Sequence, residues 1–148
     1  HGGAAREILA QPKVYGFDTG FVCHAKRWDT LRDDDCGLLW EHVVLETLQS
    51  IEGVIEIRFW RDKSQREVDF VLPRARDACD AIACKWSSES FRPESLAAFR
   101  AAYPKGRNFV VSPRRAPPIT RREGGLDVTH LGLDRLRTTL PLTRARAR

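Results

Sequence analysis

The 148-residue sequence contains no methionine and begins with His1. Because translation starts at methionine, we expect residues 1–11 to be a cleavage remnant or a linker, and the chain to be one domain of a longer protein. The sequence also has no run approaching the roughly 20 apolar residues of a membrane helix, and it lacks the basic and then apolar start of a secretory signal. These absences argue against membrane and exported proteins and favour a cytoplasmic one.

Cysteine patterns that bind zinc or build a disulfide framework are absent too. The cysteines form no CxxC motif and share no metal-binding spacing with histidine; they are Cys23, Cys36, Cys79 and Cys84. We therefore expect reduced thiols, and the spacing assigns no role to His24, His42 or His130.

Acidic residues are scarce in the second half of the chain. Residues 75–148 carry 15 basic against 7 acidic side chains, residues 1–74 carry 10 against 13, and the net charge is +5. Lysines and arginines that neutralise phosphates release counterions, so this asymmetry suits a polyanion such as nucleic acid. The alternative is that the excess is solvated surface together with a disordered basic tail over residues 142–148.

Hydrophobic periodicity predicts an α/β fold with a mixed sheet flanked by helices. The predicted helices are 37–51, capped by one of the three preceding aspartates, a helix from Pro93 to Pro104, and a short helix through Leu133, Leu136 and Leu140. The predicted strands are 55–60, 67–72, 80–86 and 107–112. A helix between the last two strands indicates a crossover that joins parallel neighbours.

Glu41 is the first side chain whose placement points to chemistry. It shares a predicted helix face with Leu38, Leu45 and Leu48. A carboxylate on a core-facing stripe is costly unless it is paired, protonated or bound to a metal. The alternative is a glutamate at the edge of the helix that reaches solvent.

Two strands carry further charged side chains at unusual positions. The alternation of strand 67–72 puts Val68, Phe70 and Leu72 on one face, and Glu67, Asp69 and Val71 on the other. In strand 80–86, Lys85 shares a face with the small Ala81 and Ala83. Either Lys85 points toward Asp69, or both charges belong to solvated faces.

The order of these residues along the chain resembles that of the PD-(D/E)XK nucleases. The resemblance implies a restriction-endonuclease-like three-layer core over residues 12–141 and one or two Mg²⁺ or Mn²⁺ ions. It also implies that Asp69 and Glu41 are metal ligands, with the main-chain carbonyl of Cys84 as a further ligand and Glu67 as a reserve carboxylate. Lys85 would be the catalytic lysine that meets the scissile phosphate. The position expected to carry the remaining acidic ligand is Ala83.

Several strings resemble an uncharacterised domain found at the C-terminus of bacterial and archaeal AAA-type ATPases. Over residues 12–130 they are Lys13-Val14-Tyr15-Gly16-Phe17-Asp18-Thr19-Gly20, Leu39-Trp40-Glu41, Trp60-Arg61-Asp62, Glu67-Val68-Asp69-Phe70 and Ala81-Ile82-Ala83-Cys84-Lys85-Trp86. That family typically has Ile-Glu-x-Lys where this chain has Ile82-Ala83-Cys84-Lys85. The sequence has no GxxxxGK[ST] motif, so ATP would bind only in a parent ATPase part outside it.

Two hypotheses of function follow. The first is a Mg²⁺-dependent nuclease domain that acts on DNA phosphodiesters and is inactivated at Ala83, by natural decay or by engineering, with backbone contacts from Arg92, Lys105 and Arg107. The second is a non-catalytic module that binds nucleic acid or a protein, with a homodimer as one possible state. An unrelated domain would need several motifs to match by chance. Asp18, between two glycines, is predicted to be an Asx-turn or a helix cap.

Overall fold

A six-stranded mixed sheet forms the centre of the computed structural model, which describes residues 15–16, 18–74 and 77–140. The predicted segments 1–11 and 142–148 lie outside these described residues. The strands are β1 (Arg58–Arg61), β2 (Glu67–Pro73), β3 (Cys79–Cys84), β4 (Asn108–Ser112), β5 (Ile119–Glu123) and β6 (Leu126–Gly132). They lie in the order β1-β2-β3-β4-β6-β5.

The helices cover both faces of this sheet. They are α1 (Thr19–Ala25), α2 (Asp33–Gln49), α3 (Glu94–Ala102) and α4 (Leu133–Thr139), with one 3₁₀ turn at Ser88–Ser90. Within the described part of the chain, no helix has the length and apolar character needed to cross a bilayer.

The pairing of the strands gives the sheet two distinct ends. β1, β2 and β3 pair antiparallel, whereas β3, β4 and β6 run parallel to one another. As predicted, α3 is the crossover between β3 and its parallel neighbour β4. The last residues of β3, β4 and β6 therefore lie together at one end of the strands, the carboxyl edge. Their first residues lie together at the opposite end, the amino edge.

Two hydrophobic clusters, one on each face of the sheet, give the domain three layers. On the face covered by α2 and α4, Trp40, Val44 and Leu48 belong to the same cluster as Phe70 and Ile82. On the other face, α3 contributes Leu96 and Phe99 to a cluster that contains Val71, Ala81 and Val110. This arrangement confirms the predicted α/β fold with a mixed sheet flanked by helices.

Helix α2 begins four residues earlier than predicted, at Asp33. The carboxylate of Asp35 accepts hydrogen bonds from the main-chain N–H and the side chain of Arg32, both at 3.1 Å, and this closes the first turn. The buried apolar residues of α2 are Trp40, Val44 and Leu48, and the half-buried Leu45 packs against the same cluster. The predicted stripe is therefore confirmed for Leu45 and Leu48, whereas Trp40 and Val44 were not part of it.

Helix α1 and the hairpin of β5 and β6 are missing from the sequence prediction. Asp18 caps α1, because its Oδ1 accepts the N–H of Phe21 at 2.8 Å, and this confirms its predicted structural role. The hairpin turns at Gly124 and Gly125, whose φ angles are +56° and +80°. A Gly-Gly pair between two β-prone runs is a hairpin signal in the sequence, located after the proline-rich link.

A buried carboxylate anchors the amino edge. Asp80 is 2% exposed and forms ion pairs with Arg74 at 2.6 Å and Arg107 at 2.7 Å. Burial alone would raise the pKa of Asp80, but the hydrogen bonds from Arg107 and the charges of both arginines outweigh it and hold the pKa below its ordinary value.

This pair of arginines predicts a loss of stability in acid. Because the folded pKa of Asp80 is depressed, its contribution is complete above the unfolded pKa of about 3.9 and is lost as the pH falls through the lower folded pKa. We expect the free energy of unfolding, measured with urea, to fall more steeply between pH 5 and pH 2.5 for the unmodified chain than for Asp80→Asn. Asp127→Asn is the control, because it removes a carboxylate from an exposed ion pair, and it should leave the dependence of this free energy on pH unchanged.

Candidate functional site

Tyr15 contacts one of the predicted site carboxylates and the strand that carries another. Its hydroxyl donates a hydrogen bond to Oε2 of Glu41 at 3.3 Å, and its ring centroid lies 5.9 Å from that of Phe70, the residue after Asp69. Burial raises the pKa of Tyr15 well above its usual range, and the negative charges of Glu41 and Asp69 raise it further. The hydroxyl of Tyr15 therefore stays protonated and donates to Glu41 of α2, beside the strand that carries Asp69.

His42 holds the segment that carries Tyr15. Its Nε2 accepts the main-chain N–H of Gly16 at 3.1 Å, and its Nδ1 lies 2.9 Å from the carbonyl oxygen of Leu38. Both bonds form together only when the ring is neutral and protonated at Nδ1. The ring packs edge to face on Tyr15, with centroids 5.1 Å apart. His42, to which the sequence assigned no role, therefore positions Tyr15.

Asp69 is buried in the sheet and ends a hydrogen-bond ladder. The pairing of β2 with β3 runs from Pro73 and Cys79 to Phe70 and Ile82. One residue further on, Oδ2 of Asp69 accepts the main-chain N–H of Cys84 at 2.8 Å. A carboxylate thus takes the place of a strand carbonyl, and Asp69 helps to fix the end of β3.

The alternation of β2 is interrupted at Asp69. Phe70 and Leu72 pack on the α2 face as predicted, but Val68 packs with Val71 on the α3 face. The predicted face of Val68, Phe70 and Leu72 is therefore wrong for Val68. The physical reason is a bulge of β2 against β1: Arg58 pairs with Val71 and Trp60 with Val68, so two residues of β2 lie opposite one residue of β1.

Ala83 and Lys85 follow one another toward the carboxyl edge. Ala83 is 7% exposed and packs in the α3-face cluster. The regular pairing of β2 with β3 ends at Phe70 and Ile82, and the carboxylate of Asp69 accepts the N–H of Cys84, the residue after Ala83. A carboxylate at position 83 would therefore lie one residue before the main-chain group that binds Asp69.

Lys85 is the first residue beyond β3. Its main-chain N–H donates to the carbonyl of Val111 at 3.0 Å, which keeps it aligned with β4. Its side chain is half-buried, and no hydrogen bond or ion pair to the ammonium is found among the residues that the structure describes. Lys85 thus presents a positive charge at the carboxyl edge.

The side chains of the described residues include no group of three or more His, Cys, Asp or Glu arranged to hold a metal ion. Glu67, the predicted reserve carboxylate, forms an ion pair with Arg61 at 2.6 Å. Glu41 and Asp69 remain as the two hard oxygen donors. That donor set fits Mg²⁺, which keeps several waters and binds through one or two carboxylates together with substrate phosphates.

The three predicted nucleic-acid contacts do not lie together. Lys105 and Arg107 are at the amino edge, where the carbonyl of Lys105 pairs with β3 and Arg107 binds Asp80. Arg92 precedes α3 on the carboxyl side, and its guanidinium donates to the carbonyls of Glu89 and Phe91. Of these three residues, only Arg92 therefore lies at the same edge as Lys85, the carboxyl edge.

Comparison with solved structures gives a distant likeness. A chain in the half-complex of a tetradecameric assembly of Thermococcus gammatolerans McrB AAA+ hexamers with bound McrC is 14% identical, with a TM-score of 0.44. The match covers 66% of this chain and 28% of that chain, so this chain spans well under half the length of the matched one. The search of curated proteins finds no match. Residues 36–131 match the model of the domain of unknown function DUF4143; this confirms the resemblance to an uncharacterised domain, and the chain belongs to that family.

Proposed function

We propose that this domain carries a metal-dependent site for DNA phosphodiesters, of the PD-(D/E)XK nuclease type, whose catalysis is impaired by Ala83. The observation that carries the proposal is the placement of Tyr15, which donates to Glu41 and packs on Phe70, the neighbour of Asp69, in a domain whose neighbouring strand end presents Lys85. Carboxylates for a divalent cation and a cation for the phosphate charge are the groups that phosphodiester hydrolysis needs.

The order of elements supports the same proposal. A helix with Glu41 is followed by three antiparallel strands, with Asp69 in the second, and then by a crossover helix and a parallel strand. This is the order that the resemblance to PD-(D/E)XK nucleases implies, and a restriction-endonuclease-like core is part of the proposal. The motif strings of the sequence further suggest that the domain works as the C-terminal part of an AAA-type ATPase.

Each residue has a distinct role in the proposed chemistry. Glu41 and Asp69 would hold Mg²⁺ or Mn²⁺, with the Cys84 carbonyl as a further oxygen donor. When bound, such a cation polarises the phosphate and lowers the pKa of a bound water. Lys85 would neutralise the charge that develops on the phosphate, and the protonated Tyr15 would keep Glu41 oriented by its hydrogen bond.

Restoring the missing carboxylate tests the proposal. Ala83→Glu should give Mg²⁺- or Mn²⁺-dependent cleavage of DNA at a rate roughly 100-fold or more above that of the natural chain, since a change of ligand shell typically alters activity by 10–100-fold or more. Ala83→Gln, of the same size but uncharged, is the control and should give no gain. Lys85→Ala added to Ala83→Glu should remove the activity. Single-stranded, duplex and branched DNA and RNA are all assayed.

A buried glutamate can destabilise the domain, so a second readout is needed. Circular dichroism shows whether Ala83→Glu folds. In addition, the affinity for Mn²⁺ is measured by electron paramagnetic resonance in the presence of an oligonucleotide, for the unmodified chain and for Glu41→Gln. Folded Ala83→Glu that cleaves none of these substrates, together with Mn²⁺ binding that Glu41→Gln does not weaken, would overturn the proposal.

A non-catalytic module is the second candidate, and one observation favours it. Both carboxylates already have donors within the protein, the hydroxyl of Tyr15 for Glu41 and the N–H of Cys84 for Asp69. DNA binding that depends on salt, without cleavage by Ala83→Glu, would support a nucleic-acid-binding role. Absence of DNA binding would favour a protein partner, such as the parent ATPase or a second copy of the chain.

A further inference from the structure

Trp86 presents an aromatic surface at the carboxyl edge, directly after Lys85. It is 45% exposed. Its ring packs edge to face against Trp40, with centroids 6.2 Å apart and an angle of 67° between the rings. Trp40 is itself fixed, because it is buried and its indole N–H donates to the carbonyl of Val111 at 3.0 Å. The exposed indole of Trp86 is therefore held in place rather than free to collapse onto the surface.

A groove opens at the same edge of the sheet. It has a volume of about 500 Å³, and the polar side chains that line it include Ser88, Glu89, Ser112, Arg114, Arg121 and His130. Ser112 directly follows Val111, whose carbonyl accepts the N–H of Lys85. Lys85 does not line the groove, but its main chain pairs with the residue before Ser112, and the groove extends from there toward β5 and β6.

The groove offers cations without carboxylate partners. Arg114 and Arg121 are exposed, and neither guanidinium group has a hydrogen bond or an ion pair to other residues within the described ranges. Of the two carboxylates in the groove, Glu123 is bound to His130 at 2.8 Å, which leaves Glu89 as the other. Together with Lys85, two arginines therefore outweigh the negative charge along this path.

We infer that the carboxyl edge binds single-stranded nucleic acid, with one unpaired base stacked on Trp86 and the backbone phosphates at Lys85, Arg114 and Arg121. This inference rests on the proposed function and adds the strandedness of the substrate. A duplex keeps its base faces within the stack, so an exposed indole can stack only on an unpaired base. An exposed aromatic face near several cations suits a single strand, whose bases can stack while its phosphates contact the cations.

Equilibrium binding without cleavage tests the inference. The fluorescence anisotropy of labelled single-stranded and duplex oligonucleotides is measured with the full chain in EDTA, so that hydrolysis does not interfere. We expect the single strand to bind more tightly. Trp86→Ala should weaken single-strand binding by about 5- to 150-fold, the factor that corresponds to ~1–3 kcal/mol for one stacked base, and Trp86→Phe should restore most of it.

Matched controls separate stacking from general effects. Tyr103 is an aromatic residue of similar exposure, 39%, at the amino edge, and Tyr103→Ala should leave the affinity unchanged. Arg114→Ala and Arg121→Ala should each lower the slope of log affinity against log salt by about 0.7, the value for one phosphate contact on a single strand. Thermal melting of every variant confirms that it is folded at the assay temperature.

Each remaining outcome would overturn the inference. Equal affinity for duplex and single strand, with no effect of Trp86→Ala, would refute stacking and leave the proposed phosphodiester site standing. An equal loss for both substrates in Trp86→Ala would show a merely structural role for Trp86. No binding of either nucleic acid in EDTA would refute the inference and would favour a protein partner at the carboxyl edge. The proposed metal-dependent site would then be judged by the cleavage assay of Ala83→Glu.

Discussion

Gly106→Ala should lower the free energy of unfolding by at least ~4 kcal/mol, an exceptional loss for a single methyl group. Gly106 has a φ angle of +126°, and a Cβ atom added there would lie 1.8 Å from the carbonyl oxygen of Cys79. The colliding atom belongs to the backbone of β3, so it cannot move aside as a flexible side chain could. The loop before β4 would have to leave the sheet.

Gly125→Ala is the matched control for this prediction. Gly125 also has a positive φ angle, +80°, but a Cβ atom there would meet nothing within 4 Å. Its substitution carries the backbone strain without the collision, so we expect a loss of only about 1–2 kcal/mol. Urea unfolding of the two variants measures the difference, and equal losses would contradict the close approach of Gly106 to β3.

The sequence predicted the central order of elements because that order depends on local periodicity. The helix with Glu41, the strand with Asp69, the strand that ends just before Lys85 and the crossover helix all follow from spacing within single segments. The break of alternation at Asp69 could not be predicted in this way. It depends on how β2 pairs with β1, where β2 has one residue more than its partner.

The parts of the site that were missed depend on contacts between distant segments. Tyr15 meets Glu41, and Gly16 meets His42, each across 26 residues. The only signal for Tyr15 was its place in a motif string, which gives no geometry. Likewise, composition cannot distinguish an arginine whose guanidinium is paired with Asp80, such as Arg107, from Arg121, whose guanidinium has no carboxylate partner within the described ranges.

The groups that stabilise the domain and the groups of the proposed function lie at opposite ends of the sheet. The buried polar anchors, Asp80 and Arg100, lie at the amino edge, where they join β3 to the start of β4. Lys85 and Trp86 lie at the carboxyl edge, and their exposed groups contribute little to the core. Substitutions at the amino edge should therefore change the unfolding free energy without changing nucleic-acid affinity, as long as the domain stays folded.

Arg100→Met is the second prediction with a large effect, and it should cost at least about 4 kcal/mol of stability. The guanidinium of Arg100 is buried and donates to Oδ1 of Asn108 and to main-chain carbonyls; these belong to Cys79, Tyr103, Lys105 and Arg107, at 2.7–3.0 Å. Methionine fills a similar volume but donates nothing. The carbonyls of Lys105 and Arg107 keep a second donor, the N–H groups of Cys79 and Ala81. The acceptors that depend on Arg100 are therefore Oδ1 of Asn108 and the carbonyls of Cys79 and Tyr103, and at ~1–3 kcal/mol for each one left unpaired they account for the expected loss.

Urea unfolding of three variants tests this role of Arg100. Arg100→Lys keeps the charge but cannot reproduce the planar set of donors, so it should recover only part of the loss. Arg135→Met removes an arginine whose side chain is 54% exposed and should change stability by no more than ~0.5 kcal/mol. Equal stability of Arg100→Met and Arg135→Met would contradict this role. It would mean that the carbonyls bound by Arg100 find other donors, and that Arg100 does not join the loop over residues 103–107 to β3.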